Sequence, residues 1–146
     1  MPYHGPVAEE GSRTPLDEAL VRVGDRWSLL LVEALLAGPR RFNELSAALP
    51  GIAPNILTDR LRRLEREAVV TAEAYSRRPP RFAYRLTADG LELAGVLRLL
   101  ADWGAGASAQ STLRHAACGT PMEARWFCPT CARSVGDDEA AQLRFV

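Results

Sequence analysis

The sequence predicts a mainly α-helical fold with one small β-hairpin and a short C-terminal extension. Apolar residues recur at helical spacing in five segments between residues 14 and 104, and strict apolar–polar alternation is confined to residues 81–86. All three cysteines lie beyond these segments, between residues 118 and 131. The composition, 47% hydrophobic and 25% charged, is that of an ordinary globular chain.

The sequence carries no membrane or export signal. No apolar run reaches the roughly 18 residues that a membrane-spanning helix needs, and residues 1–12 are polar and broken by Pro and Gly, unlike a signal peptide. We therefore expect a cytoplasmic protein without a membrane partner. In that compartment the cysteines are expected to be thiols or metal ligands rather than disulfides.

Residues 14–36 predict two helices. Thr14 and Pro15 are typical of a helix start, and an apolar stripe follows at helical spacing until Gly24. Asp25 can cap the second helix, whose body from Trp27 to Leu36 is apolar nearly all round and is therefore expected in the core. The stripe of the first helix consists of Leu16, Leu20 and Val23.

The next segments have the order of a helix-turn-helix. Arg41 to Leu49 predicts a short helix, Pro50-Gly51 a turn, and residues 54–67 a basic second helix. This second helix buries Leu57, Leu61 and Leu64 at i, i+4 and i+7. Its opposite side carries Asn55, Asp59, Arg62 and Arg66, with Thr58 and Arg63 on the flanks. Taken alone, it could equally be an ordinary surface helix with solvated arginines.

A β-hairpin is predicted after the basic helix. Val69 to Tyr75 is rich in β-forming residues, and Phe82, Tyr84 and Leu86 alternate with more polar neighbours. Ser76 to Pro80 is expected to form the turn, because its prolines cannot continue a strand. By itself the arginine-bearing tip could be a solvated loop, but directly after a helix-turn-helix it is typical of a wing.

Positive charge is local to these elements. Residues 40–85 contain ten Arg and five acidic residues, a net charge of +5, whereas residues 1–39 and 86–146 carry −3 and −2. A basic module in an otherwise acidic chain is expected of a DNA-contacting surface. We predict base-edge contacts from Asn55 and Arg62 and a base or phosphate contact from Thr58. The remaining predicted DNA contacts are Arg41, Arg63, Arg77, Arg78 and Arg81.

The last predicted helix, Ala88 to about Trp103, is more apolar than one small domain can cover. Its apolar positions span more than half of its circumference. We expect the excess to be buried in a homodimer, together with the stripe of the first helix. The alternative is that the C-terminal segment covers it.

A metal-ligand pattern lies near the C-terminus. His115 and Cys118, then Cys128 and Cys131, form two pairs with two intervening residues each. One nitrogen and three sulfur ligands favour tetrahedral Zn²⁺, and four protein ligands leave no open position, so the site would be structural. The alternatives are a Cys128–Cys131 redox pair or inert thiols.

These observations divide the chain into five parts. Residues 1–12 are a predicted flexible arm, 13–104 a winged helix-turn-helix, 105–114 a linker, 115–135 a zinc-ribbon-like segment and 136–146 a tail. The fold class is thus a winged helix-turn-helix with a short zinc-ribbon-like C-terminal extension.

Residues 14–104 resemble the HxlR-type, MarR-like winged-helix transcription regulators. The matching stretches are LVRVGDRWSLLLVEAL, LAGPRRFNELSAALPGI, ILTDRLRRLE, PPRFAYRLTADG and LADWG. The resemblance implies a homodimer held by its first and last helices, with Pro54 to Arg63 as recognition helix and residues 76–81 as wing. It also implies that Arg41-Phe42 opens the preceding helix. Redox-sensing members carry a cysteine where this chain has Thr14, so thiol sensing of that type is not expected.

The leading hypothesis is a sequence-specific, DNA-binding transcriptional regulator that acts as a homodimer. Its expected partners are a double-stranded DNA operator, a second copy of the chain and, left open, a small-molecule effector. The alternative is a winged-helix protein-interaction module with a zinc-stabilised docking tail. An enzyme is the weakest hypothesis, because the sequence offers no nucleophile–base pair, phosphate-binding loop or open metal site.

Overall fold

The computed structural model describes residues 13–106, 113–136 and 138–139. Within them the chain forms five helices, a three-stranded sheet and a separate two-stranded hairpin. The helices are α1 (Pro15–Val23), α2 (Arg26–Leu35), α3 (Phe42–Ala48), α4 (Pro54–Arg66) and α5 (Ala88–Gly104). The strands are β1 (Arg40–Arg41), β2 (Val70–Arg77), β3 (Pro80–Leu86), β4 (Trp126–Cys128) and β5 (Arg133–Val135).

The first two helices begin at the predicted caps. Thr14 Oγ1 accepts a hydrogen bond from the Asp17 amide at 3.1 Å, and the Asp17 carboxylate accepts one from the Thr14 amide. Hydrogen bonds that the amide and the hydroxyl of Thr14 donate to the Asp17 carboxylate lower the pKa of Asp17 below its usual value. Asp25 caps α2 by accepting from both the amide and the hydroxyl of Ser28, at 3.1 and 2.6 Å. Gly24 separates the two helices, as predicted.

The core forms where α2, α3 and α4 meet the inner end of the sheet. The predicted stripe of α4 is confirmed, since Leu57, Leu61 and Leu64 are each at most 1% exposed. They join α2 residues such as Leu31 and Val32 in one cluster. Burying an aliphatic side chain of this size contributes about 1.5–3 kcal/mol to folding. The core therefore fixes which side of α4 remains at the surface.

The sheet has the strand order β1-β3-β2, with both pairings antiparallel. The hairpin is confirmed, but its turn is shorter than predicted: Arg77 pairs with Pro80, and only Arg78 and Pro79, joined by a cis peptide bond, lie between the strands. Pro80 is tolerated because it is the first residue of its strand, where a missing N–H breaks little of the ladder. The two-residue strand β1 was not predicted, since it is too short to show alternation.

Two apolar surfaces of the described chain remain uncovered. In α5, Val96, Leu99, Leu100 and Trp103 are 46–79% exposed, and in α1 Leu16 and Leu20 are 66% and 50% exposed. Val23, predicted to share the α1 stripe, is instead buried in the core of its own domain at 7% exposure. It is the last residue of α1, where the chain turns into the buried helix α2.

The C-terminal segment lies beside α5. Gly95, Arg98 and Leu99 of α5 line a shallow groove whose other wall includes Met122 and Ala124. Leu99 nevertheless stays 48% exposed, so the described part of this segment does not cover the apolar side of the helix. The predicted arm (1–12), most of the predicted linker (105–114) and most of the predicted tail (136–146) lie outside the described residues. No helix among the described residues is long and apolar enough to cross a membrane.

Candidate nucleic-acid interface

Helix α4 presents a polar face formed by Asn55, Asp59, Arg62 and Arg66. All four side chains are exposed, as predicted, because the leucines on the other side of the helix are locked into the core. The helix begins with Pro54 after Ala53, which supplies no side-chain cap. The first amides of α4 are therefore without a side-chain acceptor, an arrangement that suits a phosphate oxygen.

Thr58 is half-buried, on the flank of this face. Its hydroxyl donates to the carbonyl oxygen of Pro54 at 3.0 Å, one turn earlier. The hydroxyl proton is therefore used within the helix, and only the oxygen lone pairs are left for another partner. Thr58 can accept a hydrogen bond from a base or contact a phosphate indirectly, but it is not poised as a donor.

Arg63 is placed differently from the prediction. Its guanidinium donates to the carbonyl oxygen of Val21 and pairs with Asp25 at 3.3 Å, on the side of α4 that faces the α1–α2 junction. Arg60 pairs with the same carboxylate at 2.9 Å. These two arginines hold the helix against the body of the domain, so Arg63 is not part of the exposed polar face.

Arg41 lies at the start of α3 and is also the end of strand β1. Its guanidinium stacks on the ring of Tyr75, 4.5 Å from the ring centroid, while Glu44 accepts a hydrogen bond from its amide at 2.6 Å. Arg41 also pairs with Ala83 in the sheet. The first turn of α3 is thereby attached to the wing hairpin, and a groove between them is lined by Arg41, Phe42, Asn43, Glu44, Tyr75, Pro80, Arg81, Phe82 and Tyr84.

Tyr84 connects this groove to α4. Burial raises the pKa of its hydroxyl, as does the nearby Glu65 carboxylate, whereas Arg62 acts in the opposite direction. Both charged residues belong to α4, which packs against strand β2 of the same hairpin, while α3 packs against β1 and β3. These contacts place the exposed face of α4, the start of α3 and the wing side by side, and we call them together the continuous surface.

The wing tip is basic. Arg77, Arg78 and Arg81 are exposed, and Ser76 braces the turn by donating to the carbonyl oxygen of Pro79 at 3.0 Å. Further down the hairpin, Arg85 is neutralised by Glu73 at 2.8 Å. Within the described residues, six arginines on the continuous surface form no ion pair with a carboxylate: Arg41, Arg62, Arg66, Arg77, Arg78 and Arg81.

Known proteins with this architecture identify the family. A family model described as an HxlR-like helix-turn-helix matches residues 22–112, which is more than half of the chain. The chain belongs to the HxlR-like helix-turn-helix family. This match contains the whole of α3, α4 and the wing.

Relatives of this HxlR-like protein are regulators. The HTH-type transcriptional regulator sll1512 of Synechocystis sp. is 37% identical over 102 residues, covering 67% of this chain and 76% of the relative. Rv3095, an HTH-type transcriptional regulator of Mycobacterium tuberculosis, is 34% identical over 122 residues, covering 80% and 77%. These relatives and the shared fold are those of transcriptional regulators rather than enzymes.

Solved structures agree with this assignment. A MarR-family transcriptional regulator from Enterococcus faecalis V583 superposes with a TM-score of 0.57 at 36% identity, covering 69% of this chain and 92% of that one. The redox regulator HypR in its reduced form superposes with a TM-score of 0.60 at 33% identity, covering 63% and 91%. The winged helix-turn-helix fold predicted for residues 13–104 is thus that of known regulators.

Sequence reasoning missed three contributors to the HxlR-like surface. Tyr75 and Tyr84 join α3, α4 and the wing, and Asp25 anchors the inner side of α4. Tyr84 could have been suspected because Arg85 follows it, and Tyr75 because it lies two positions before Arg77. Asp25 was recognised only as a helix cap, since its arginine partners are more than 30 positions away.

The predicted metal ligands come together only as pairs. His115 Nδ1 lies 3.3 Å from Cys118 Sγ, and hydrogen bonds from the amide and then the side chain of the nearby Cys131 lower the pKa of Cys128. Hydrogen bonds from Thr120, then from His115, lower the pKa of Cys118 to about 7. Across the described residues, no three His, Cys, Asp or Glu side chains are gathered where they could hold one metal ion.

Proposed function

We propose that this protein is a sequence-specific DNA-binding transcriptional regulator that acts as a homodimer. In this proposal α4, within residues 54–67, enters the major groove, and the wing at residues 76–81 contacts the backbone or the minor groove. The observation that carries it is the continuous surface, on which six arginines form no ion pair with any carboxylate in the described part of the chain. Such a surface suits the phosphate backbone of DNA, because unpaired cationic side chains can neutralise phosphates and release their counterions.

The exposed residues of α4 are the base-reading group of the proposal. Arg62 can donate two hydrogen bonds to the O6 and N7 acceptors of guanine, and Asn55 can pair similarly with adenine. Thr58 is limited to accepting a hydrogen bond or to a peripheral contact, because its proton is held by Pro54. Arg63 is left out of the proposed contacts because its guanidinium is engaged by Asp25 and Val21.

The arginines outside α4 are the positioning group. Arg41 and Arg81 line the groove between α3 and the wing, and Arg77 and Arg78 are exposed at the wing tip. Phosphate contacts of this kind fix the register of a protein on the duplex but carry no sequence information. Arg41 has restricted freedom because it stacks on Tyr75, so its contact would cost less side-chain entropy on binding.

The homodimer is proposed because two apolar surfaces are uncovered. In the single chain, between 46% and 79% of each side chain is exposed for Leu99, Leu100 and Trp103 of α5 and for Leu16 and Leu20 of α1. A two-fold axis would bury the same surface of both copies and present two copies of α4 to the DNA. Operators of such dimers have two half-sites about one helical turn apart.

Binding assays can separate the two groups of arginines. Operator fragments would first be selected from random duplexes with the unmodified protein, and affinities then measured by fluorescence anisotropy at several salt concentrations. Arg62→Ala should weaken operator binding by about 1–3 kcal/mol, roughly 5- to 150-fold, and relax the preference at one base pair. Arg78→Ala should weaken binding to all duplexes alike and reduce the salt slope by about 1.

Arg98→Ala is the matched control, because it removes the same exposed charge from α5, outside the proposed contact surface. It should leave both affinity and salt slope unchanged. If Arg62→Ala and Arg98→Ala bind the selected operator equally well, α4 does not read the major groove. If no duplex shows salt-dependent binding, the DNA-binding proposal itself is wrong.

None of the contacts described above and none of the relatives named above favours the alternative of a protein-docking module. A small-molecule effector stays a prediction.

A further inference from the structure

The C-terminal segment has almost no core of its own. None of the described residues from 113 to 136 is buried, and its two largest apolar side chains, Trp126 and Phe127, are 61% and 62% exposed. Its regular structure is limited to the three-residue strands β4 and β5 and one isolated bridge between Arg114 and Pro121. A lone two-stranded hairpin is marginally stable in water, so a cross-link is needed to hold this segment together.

Two turns in this segment have the same backbone design. In each turn, two residues separate a potential metal ligand from a cysteine, and the residue after that cysteine has a positive φ. Cys118 is followed by Gly119 at φ 71°, and Cys131 is followed by Ala132 at φ 52°. In the first turn the change of chain direction brings His115 Nδ1 to 3.3 Å from Cys118 Sγ.

The conformation of Ala132 is the more informative of the two. A left-handed backbone is unfavourable for a residue with a Cβ, and alanine has no polar side chain that could stabilise it locally. Among the described residues the other non-glycine with positive φ is Ala68, where the end of α4 imposes it through bonds from Ala68 and Val69 amides to the last helical turn. No helix precedes Ala132, so its conformation requires a different local cause.

The residues that bracket the turns indicate that cause. His115 and Cys118 bracket the first turn, with Nδ1 and Sγ 3.3 Å apart, and Cys128 and Cys131 bracket the second. An imidazole and three cysteine sulfurs are the donor set that a soft divalent cation prefers.

We propose that the two turns bind one structural Zn²⁺ ion through the thiolates of Cys118, Cys128 and Cys131 and the imidazole of His115. The structure holds these ligands as two pairs, and the ion would draw the pairs together into one tetrahedral site. Three thiols release their protons on binding, and the complete set of protein ligands leaves no position for a reacting water. The ion takes the place of the hydrophobic core that the segment lacks.

The site has a defined consequence for the rest of the molecule. The hairpin that carries Cys128 also contributes Trp126 and Val135 to a groove against Leu99 of α5. Fixing the two turns would keep this hairpin ordered next to the apolar side of α5. The inference does not depend on DNA binding, because the ligands lie outside the proposed DNA surface.

The test compares the four ligands, two from each turn. The full chain, purified without chelators or a histidine tag, should contain one Zn²⁺ per chain by elemental analysis. Cys118→Ser and Cys131→Ser should each lose most of the zinc, although they belong to different turns. His115→Ala should bind more weakly, and His115→Cys should restore tight binding, because a fourth thiolate is an equally suitable ligand.

Titration with Co²⁺ counts the thiolates directly. A tetrahedral site should give intense visible bands and a sulfur-to-cobalt charge-transfer band that decreases by about one third in each cysteine variant. Far-UV circular dichroism serves as the folding control, since residues 15–104 carry their own core and should keep their helical signal without metal.

Three results would overturn the proposal. The first is metal binding that survives Cys118→Ser and His115→Ala unchanged, which would leave a two-cysteine site. The second is a Cys128–Cys131 disulfide in metal-free protein, found by the mass after thiol alkylation. The third is metal-free protein with three reactive thiols and an ordered segment.

Discussion

Asp25 should be the residue on which the orientation of α4 depends most. Its carboxylate caps α2 through Ser28 and accepts charged hydrogen bonds from Arg60 and Arg63 of α4. The side chains of Asp25, Arg60 and Arg63 are only 26–29% exposed. One carboxylate therefore joins the start of a core helix to the inner side of the proposed recognition helix.

Replacement of Asp25 by alanine removes both functions. Loss of an N-cap costs about 1 kcal/mol. Each half-buried arginine that loses its partner adds about 0.5–1 kcal/mol, more than at a fully exposed pair because water screens it less. The expected loss for Asp25→Ala is thus about 2–3 kcal/mol of unfolding free energy. Asp25→Asn keeps the cap, since asparagine caps as well as aspartate, and should lose only about 1–2 kcal/mol.

The pH dependence of the unfolding free energy distinguishes the contribution of the Asp25 charge from that of its N-cap hydrogen bonds. Burial alone raises the pKa of Asp25, but hydrogen bonds from Ser28 and the charge of Arg60 more than offset it, so the pKa lies below its ordinary value. A lowered pKa in the folded state stabilises the fold at all pH values above the unfolded pKa of about 3.9. That stability is lost as the pH falls through the folded value. The difference between the parent and Asp25→Asn should therefore shrink below about pH 4.

Urea denaturation followed by circular dichroism measures these differences. The protein concentration is kept constant, because the proposed dimerisation would add to the apparent stability. The reasoning would be refuted if Asp25→Asn were as unstable as Asp25→Ala at neutral pH, or if the difference between the parent and Asp25→Asn did not change in acid. The first result would mean that the cap depends on the charge. The second would mean that Arg60 and Arg63 gain nothing from the carboxylate.

Two further predictions concern α5. Gly90→Ala should lower the unfolding free energy by about 1–3 kcal/mol, because the new Cβ would lie 2.2 Å from the carbonyl oxygen of Val69. Gly95→Ala is the control in the same helix. Its new Cβ would meet nothing within 4 Å, so it should raise the unfolding free energy by about 0.5–1 kcal/mol. Equal effects of the two substitutions in thermal melts would contradict the packing argument. Leu100→Glu should convert the proposed dimer into monomers in sedimentation velocity, since a charge cannot be buried in an apolar interface. A parent protein that is already monomeric at micromolar concentration would contradict the dimer.

The sequence by itself determined the features that depend on near neighbours. The caps at Thr14 and Asp25 act on amides three positions away, and the leucine stripe of α4 follows from helical periodicity. The hairpin was predictable from the alternation of apolar residues between Phe82 and Leu86, although Leu86 is buried and Phe82 remains 45% exposed. The exposed face of α4 followed from the same periodicity, because burying one side of a helix exposes the other.

Only the tertiary structure decided whether the flanking Arg63 faces outward. Periodicity places Arg62 on the exposed side of α4 and Arg63 on its flank, from which its side chain could turn either way. Arg63 turns inward because Asp25, 38 positions earlier, offers it a carboxylate. Strand β1 likewise exists only because β3, more than 40 positions later, supplies its hydrogen-bonding partner. Local patterns determine what each segment can form, whereas contacts between distant segments determine which of its side chains remain available for binding.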